Sequence, residues 1–268
     1  MEETTYLIQK AQDILSQASY AVALTGAGVS TPSGIPDFRS PTSGLWDDYD
    51  PMEVATIQGF QQHPEYFYNW MRPLAKLILQ AQPNDAHRAL AKLEHFGPLR
   101  AIITQNIDML HTKAGTRHLY EVHGQMREAE CPSCGKTYNV EGRLKKFVET
   151  GHIPVCFTCG NILKPNVILF GEALPWRAIT QAQIAAQRCD VLIVAGSSLE
   201  VAPANTLPVL AHETHARLII INYTPTHLDH LADVIIRDNV ATVLPELAKP
   251  FEMRATHTNS ARNKTHGG

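Results

Sequence analysis

Two hydrophobic periodicities alternate along the chain. Leu7, Ala11, Ile14, Leu15 and Ala18 recur at helical spacing, which predicts an amphipathic helix over residues 6 to 18. It ends where YAVALT, residues 20–25, begins, an unbroken apolar run of strand length that predicts a buried strand. This strand leads straight into GAGVSTPSGIPDFRS, residues 26–40. Residues 41 to 60 lose all period and are rich in Pro, Gly and Asp, so irregular backbone or short helical turns are expected. Pro64 then opens a helix with Phe67, Trp70, Met71, Leu74, Leu77 and Ile78 on one face, either core or pocket wall, and Pro73 as a kink or join.

A second amphipathic helix spans Asp85 to Phe96 (Ala86, Leu90, Leu93, Phe96), is stopped by Gly97-Pro98, and hands over to a strand, Leu99 to Thr104. A short strand ends at His123-Gly124, and further strands are predicted at Val167 to Phe170, Val191 to Ala195, Arg217 to Ile221 and Val234 to Ile236. Helices at Pro175 to Arg188 and Ala241 to Lys249 lie between or after them. Repeated strand–helix units with near-continuous apolar strands predict an α/β fold, a parallel sheet with helices on both faces. From Glu252 onward there is little to bury, which predicts a disordered tail.

Composition narrows the function classes. The 268 residues are 44% hydrophobic and 18% charged, enough for one large domain plus an insertion. A net charge of −3 provides no basic field for nucleic acid, while leaving a basic partner peptide compatible. The start, with Glu2 and Glu3, lacks a basic-then-apolar leader, and no apolar run approaches the ~18 residues of a membrane span. A cytoplasmic protein with no membrane or nucleic-acid partner is the expectation.

Four of the five cysteines form two C-x-x-C pairs, Cys131/Cys134 and Cys156/Cys159, with 21 residues between them. That spacing is close to a zinc ribbon, and four thiolates imply a closed, structural site for one zinc per chain rather than a catalytic one. Free cysteines or a redox disulfide are the alternative. Cys189, unpaired in the pattern, reads as a small buried apolar residue.

Polar clusters sit at the strand ends, where an open parallel sheet gathers its ligands. Gly26 and Gly28 suit a loop whose backbone N–H groups approach a phosphate, but Thr31 replaces the third glycine of the dinucleotide fingerprint and no acid ends a second strand, so a dehydrogenase is excluded. Ile35-Pro36-Asp37-Phe38-Arg39 reads as a lid, or as a surface loop with a structural Asp–Arg pair. Gln105, Asn106 and Asp108 together exceed what a helix cap needs. His123 follows a strand and precedes a glycine, with His111 and His118 as competitors. Gly196-Ser197-Ser198 and Asn222 end two later strands.

In this order, around an inserted pair of C-x-x-C motifs, GAGVS, GIPDFRS, TQNID, HG and GSS resemble the sirtuin family of NAD-dependent protein lysine deacylases, from about residue 7 to 249. KPNVILFGE (164–172) and AGSSLEVAP (195–203) look like its bacterial branch, with Lys164 where arginine is common and Ser197 where threonine is common. The resemblance implies a Rossmann-like domain from 1–40, 82–125 and 166–250, and a small domain from the helical insertion 41–81 and the zinc module 126–165, followed by the tail 251–268. It implies NAD, consumed as co-substrate, held among Gly26, Ala27, Gly28, Ser30, Thr31, Asp37, Phe38, Arg39, Gln105, His123, Gly196, Ser197, Ser198, Asn222 and Tyr223, with Asn106, Ile107 and Asp108 around nicotinamide. It implies His123 as the general base, Asn106 and Asp108 as its catalytic companions, and Phe38 closing the site against water. Val167, Ile168, Leu169, Phe170 and Gly171 would bind an acetyl-lysine peptide by β-augmentation.

The implied products are nicotinamide, 2′-O-acetyl-ADP-ribose and free lysine. An ADP-ribosyltransferase using the same cleft and a non-catalytic NAD sensor are the alternatives. Sirtuins that prefer succinyl or malonyl groups carry Tyr-x-x-Arg after the position of Pro64. Here Tyr68 is followed by Met71, with Arg72 one residue late, so deacetylation is expected unless Pro73 unwinds the helix and lets Arg72 in. Nothing in these motifs predicts the oligomeric state.

Overall fold

The structure, a computed structural model, describes residues 2–37 and 50–264. In chain order its elements are α1 (Glu2–Gln17), β1 (Ala21–Thr25), α2 (Pro51–Val54), α3 (Ile57–Gln62), α4 (Pro64–Gln80), α5 (Asp85–Phe96), β2 (Leu99–Thr104), α6 (Leu110–Lys113), β3 (Leu119–Glu121), β4 (Gly124–Glu130), β5 (Thr137–Asn139) and α7 (Glu141–Thr150). They continue with β6 (Lys164–Val167), α8 (Trp176–Arg188), β7 (Val191–Ala195), α9 (Leu207–Glu213), β8 (Arg217–Ile221), β9 (Val234–Ile236) and α10 (Val240–Lys264).

Six strands form one parallel sheet in the order β3-β2-β1-β7-β8-β9. The apolar runs are continuous because both faces are covered, and the two-residue period of a strand sorts them into two cores. Ala21 and Ala23 of β1, Ile193 of β7 and Ile219 of β8 face a core shared with α1, α5 and α10. Their neighbours Val22, Leu24, Leu192 and Ile220 face the other, shared with α8 and α9. The chain leaves β1 for β2 on one side and returns to β7 on the other, so the order reverses at β1. That reversal opens a crevice above the carboxyl ends of β1 and β7.

A smaller antiparallel sheet, β5-β4-β6, carries the cysteine knuckles. A third core joins α3, α4 and α7 to the body through Phe60, Phe67, Tyr68, Met71, Phe147 and Val167. Pro73 neither breaks nor splits α4, which runs without interruption from Pro64 to Gln80.

Two expectations differ from the structure. The apolar run at 167–170 is not a strand, because the ladder with β4 ends at Val167. Beyond it the backbone turns to several partners: Ile168 N–H donates to His123 O at 3.0 Å, Phe170 N–H to Ala55 O at 2.9 Å, and Phe170 O accepts from Ile57 N–H at 3.0 Å. Nor does the last helix stop at 249, since α10 continues to Lys264, so residues 252–264 are helical where a disordered tail was expected. Phe251 anchors the extension against Gly97, where an added Cβ would lie 3.2 Å from its ring. Lys92 pairs with Glu252 one residue further on at 2.9 Å.

Candidate active site and metal centre

Loops after β1, β2 and β7 meet above the crevice. Gly26 and Gly28 are needed there less for a ligand than for each other's neighbour, since a Cβ on Gly26 would lie 2.7 Å from Gly196 O and one on Gly28 2.8 Å from Gly196 Cα. Gly196 in turn has φ +59°, and its Cβ would lie 2.5 Å from Val29 N. The two loops therefore stack backbone on backbone, which no other residue type permits at these positions.

Beneath that stack, three polar side chains from two distant segments are joined through Ser30. Ser30 Oγ donates to Asp108 Oδ2 at 2.5 Å, and Asn106 Nδ2 donates to Ser30 Oγ and to Gly26 O, both at 3.0 Å. Asp108 Oδ1 also accepts from Leu110 N–H at 2.9 Å. Asp108 is 4% exposed, and burial pushes its carboxyl above the usual carboxylate range against the opposing pull of Ser30 and Leu110. Met109, next in the chain, has φ 63°, a left-handed strain stored beside this acid. A narrow cavity against the cluster is lined by Ala27, Ser30, Asn106, Ile107 and Asp108, by Ile35 and Pro36, and by Leu74 and Ile78 of α4. None of the last four was among the residues expected around the cofactor, but Ile35 and Pro36 belong to the loop read as a lid, and Leu74 and Ile78 to the α4 face read as core or pocket wall. For Leu74 and Ile78 the signal was the shared apolar face of α4, which is pocket wall at one end.

Gln105 ties His123 to the β7 loop. Its backbone O accepts from His123 Nδ1 at 3.0 Å, and its side-chain Oε1 accepts from Ser197 Oγ at 3.0 Å. A carbonyl only accepts, so His123 carries its proton on Nδ1 and keeps Nε2 as a base. Burial pulls the His123 pKa below its ordinary value, with the Gln105 bond opposing, so the ring is neutral at pH 7. The competitors are otherwise occupied. His118 is exposed and pairs with Glu94 at 2.9 Å, while His111 is 1% exposed, bonded to Thr25 Oγ1 at 3.0 Å and packed edge-on against His87.

The remaining residues lie around this centre less tightly. Thr31 bonds its own loop through Gly28 O, Asn222 Nδ2 bonds Thr224 O at 2.9 Å, Tyr223 is 65% exposed and Ser198 is half-buried. Asp37 ends the first described stretch, and Phe38 and Arg39 lie outside the described residues. One observation points to a polar ligand beside His123: Gln105 Nε2 is buried without a partner among the described residues, a donor whose desolvation needs an acceptor.

The cysteine knuckles repeat one geometry. Gly135 N–H donates to Cys131 O and Gly160 N–H to Cys156 O, both at 2.9 Å, and both glycines are left-handed at φ 68° and 78°. The four sulfurs lie within 4.8 Å of one another, with Cys131–Cys159 at 3.4 Å and Cys134–Cys156 at 3.6 Å. Four Zn–S bonds of ~2.3 Å in a tetrahedron set sulfurs ~3.8 Å apart, so the cluster fits zinc. Elemental analysis is expected to find one zinc per chain, and Cys134→Ser to lower thermal stability first and activity as a consequence. Folded, active protein without stoichiometric metal overturns this. Cys189 stands apart, with burial pushing its thiol up to about 12, so it is inert.

A sequence model of the Sir2 family matches residues 26–203. A protein named NAD-dependent protein deacetylase from Sulfurisphaera tokodaii is 44% identical over 251 residues, 94% of this chain and 98% of that protein. NAD-dependent protein deacetylase 1 of Geobacillus kaustophilus is 44% identical over 234 residues, 87% of this chain and 94% of its own. A solved Sir2 structure with a deacetylated p53 peptide and 3′-O-acetyl-ADP-ribose superimposes with a TM-score of 0.84 at 40% identity, covering 91% of this chain and 98% of that one.

Proposed function

The chain belongs to the Sir2 family, and on that premise we infer that it removes acetyl groups from lysine side chains of proteins, consuming NAD. The carrying observation is His123 held neutral with its proton on Nδ1, on the same residue, Gln105, that offers an unpartnered buried donor to a nucleotide. NAD, when bound, supplies a sugar carbon that nicotinamide can leave. The chain's own residues do the rest. Asn106, Asp108 and Ser30 form a fixed hydrogen-bonding surface beside the narrow cavity, which suits them to orient a carboxamide and keep water out. His123 accepts a proton at Nε2 and returns it on release of product.

Residues 167–171 would carry the peptide. The backbone groups of Phe170 are already taken by Ala55 and Ile57, so pairing falls to the groups those bonds leave open. Incubation with NAD and an acetylated peptide tests the function. Release of nicotinamide together with loss of one acetyl mass supports it, whereas a gain of ADP-ribose mass identifies transfer to the peptide instead, and no turnover identifies a sensor.

The pH profile provides a second check. His123 works as the neutral form and its pKa lies below 6.5. Activity is therefore present above that pKa and lost as pH falls through it, so the acid midpoint of kcat/KM is expected below the ordinary histidine value. A midpoint at or above 7 assigns the base elsewhere.

A further inference from the structure

A line of side chains outside the four cysteines ends on one of their sulfurs. Lys136 Nζ lies 3.1 Å from Thr158 Oγ1, Thr158 Oγ1 3.2 Å from Tyr138 Oη, and Tyr138 Oη 3.1 Å from Cys156 Sγ. Chemistry fixes the directions when the thiolates bind metal. An ammonium only donates, so Thr158 accepts from it and spends its own proton on Tyr138. A thiolate only accepts, so Tyr138 spends its proton on Cys156. All three bonds then point the same way, from a positive charge toward sulfur, and each polarises the next.

The position of Tyr138 is itself fixed. It stands on β5, its ring lies edge-on to Phe157 with centroids 5.9 Å apart, and the Arg143 guanidinium sits 5.1 Å from its ring and 3.6 Å from that of Phe157. Thr158 N–H also donates to Cys156 Sγ at 3.4 Å. Among the described residues the first knuckle has no such relay, since no hydroxyl bonds the sulfur of Cys131 or of Cys134. Four thiolates around one Zn2+ carry a net charge of −2 in a small volume, and donors aimed at the sulfurs spread that charge.

We propose that Tyr138, backed by Thr158 and Lys136, is a positioning residue of the zinc centre that slows metal release by donating its phenolic proton to the Cys156 sulfur. The test measures the rate of zinc transfer from the intact protein to an excess of a chromogenic chelator, with zinc stoichiometry and thermal midpoint recorded beside it. Tyr138→Phe keeps the ring and its packing, and it is expected to release zinc ~10-fold faster with little change in midpoint. Lys136→Met is expected to accelerate release less, and to add nothing in the Tyr138→Phe background, because the ammonium acts on sulfur only through the relay. A residue with a merely structural role would not produce that non-additivity.

If Tyr138→Phe loosens the module, Thr158→Val is the second variant: it leaves both rings and the Tyr138–Cys156 bond in place and removes the backing, so it is expected to accelerate release about as much as Lys136→Met does. Release at the wild-type rate from both Tyr138→Phe and Thr158→Val overturns the proposal. So does multiplicative acceleration in the Tyr138/Lys136 double variant, or a wild-type protein that holds no zinc.

Discussion

His123→Ala is expected to lower kcat for deacetylation by ~100-fold or more while leaving NAD affinity within a few-fold of wild type, because a base acting on a proton that moves in the transition state contributes little to the ground state. The structure makes the expectation sharp by removing the substitutes. His118 is on the surface with Glu94, and His111 is buried behind β1 with its Nε2 on Thr25. Neither bonds Gln105. The variant also leaves Gln105 O without the Nδ1 donor, at a cost of about 1 kcal/mol in stability, so a modest drop in thermal midpoint accompanies the loss. Binding of NAD by calorimetry separates the two effects. Near-wild-type kcat in the variant refutes the assignment, and an equal loss of NAD affinity would make His123 a binding residue.

Much of this arrangement is legible in the sequence, and what is not has a common cause. β1, β2, β7 and β8 stand out because burial on both faces leaves a continuous apolar signal. The knuckles stand out because their spacing is local. The partners of the site residues are not local. Gly26 and Gly28 read as phosphate-approach positions, yet what they touch is Gly196, which becomes a neighbour only once β7 lies beside β1. Ser30 and Asp108 are 78 positions apart and share a hydrogen bond that no period or motif encodes. The run at 167–170 has strand composition, but its hydrogen bonds go to three separate segments. For α10, sparse apolar content after 251 suggests disorder, while one anchored aromatic and a helix already under way suffice to extend it.

The choice of acyl group rests on the same kind of distant contact. Discrimination of at least ~100-fold in kcat/KM is expected for an acetylated over a succinylated version of one peptide. Tyr68, the tyrosine of the Tyr-x-x-Arg comparison, is 1% exposed and spends its hydroxyl on Leu163 O at 2.6 Å. Burial pushes its phenol well above the usual range, so it stays a neutral donor already in use. Arg72, the displaced arginine, donates from Nε and Nη2 to Val148 O at 3.1 and 2.9 Å and from Nη2 to Glu149 O at 3.3 Å. These carbonyls belong to the last turn of α7, where a cation also meets the negative end of the helix dipole. Turning Arg72 toward an acyl carboxylate would strip that helix end of its cap, and the continuity of α4 through Pro73 removes the unwinding that would allow it. Met71, which stands where the Tyr-x-x-Arg comparison has its arginine, lies 2% exposed in one core with Met126, Val167 and Leu169 and offers no charge. A carboxylate buried there without a partner costs several kcal/mol, and each ~1.4 kcal/mol is a factor of ten. Equal kcat/KM for the two peptides, or a preference for succinyl, would show that Tyr68 or Arg72 abandons its carbonyl to hold the charge.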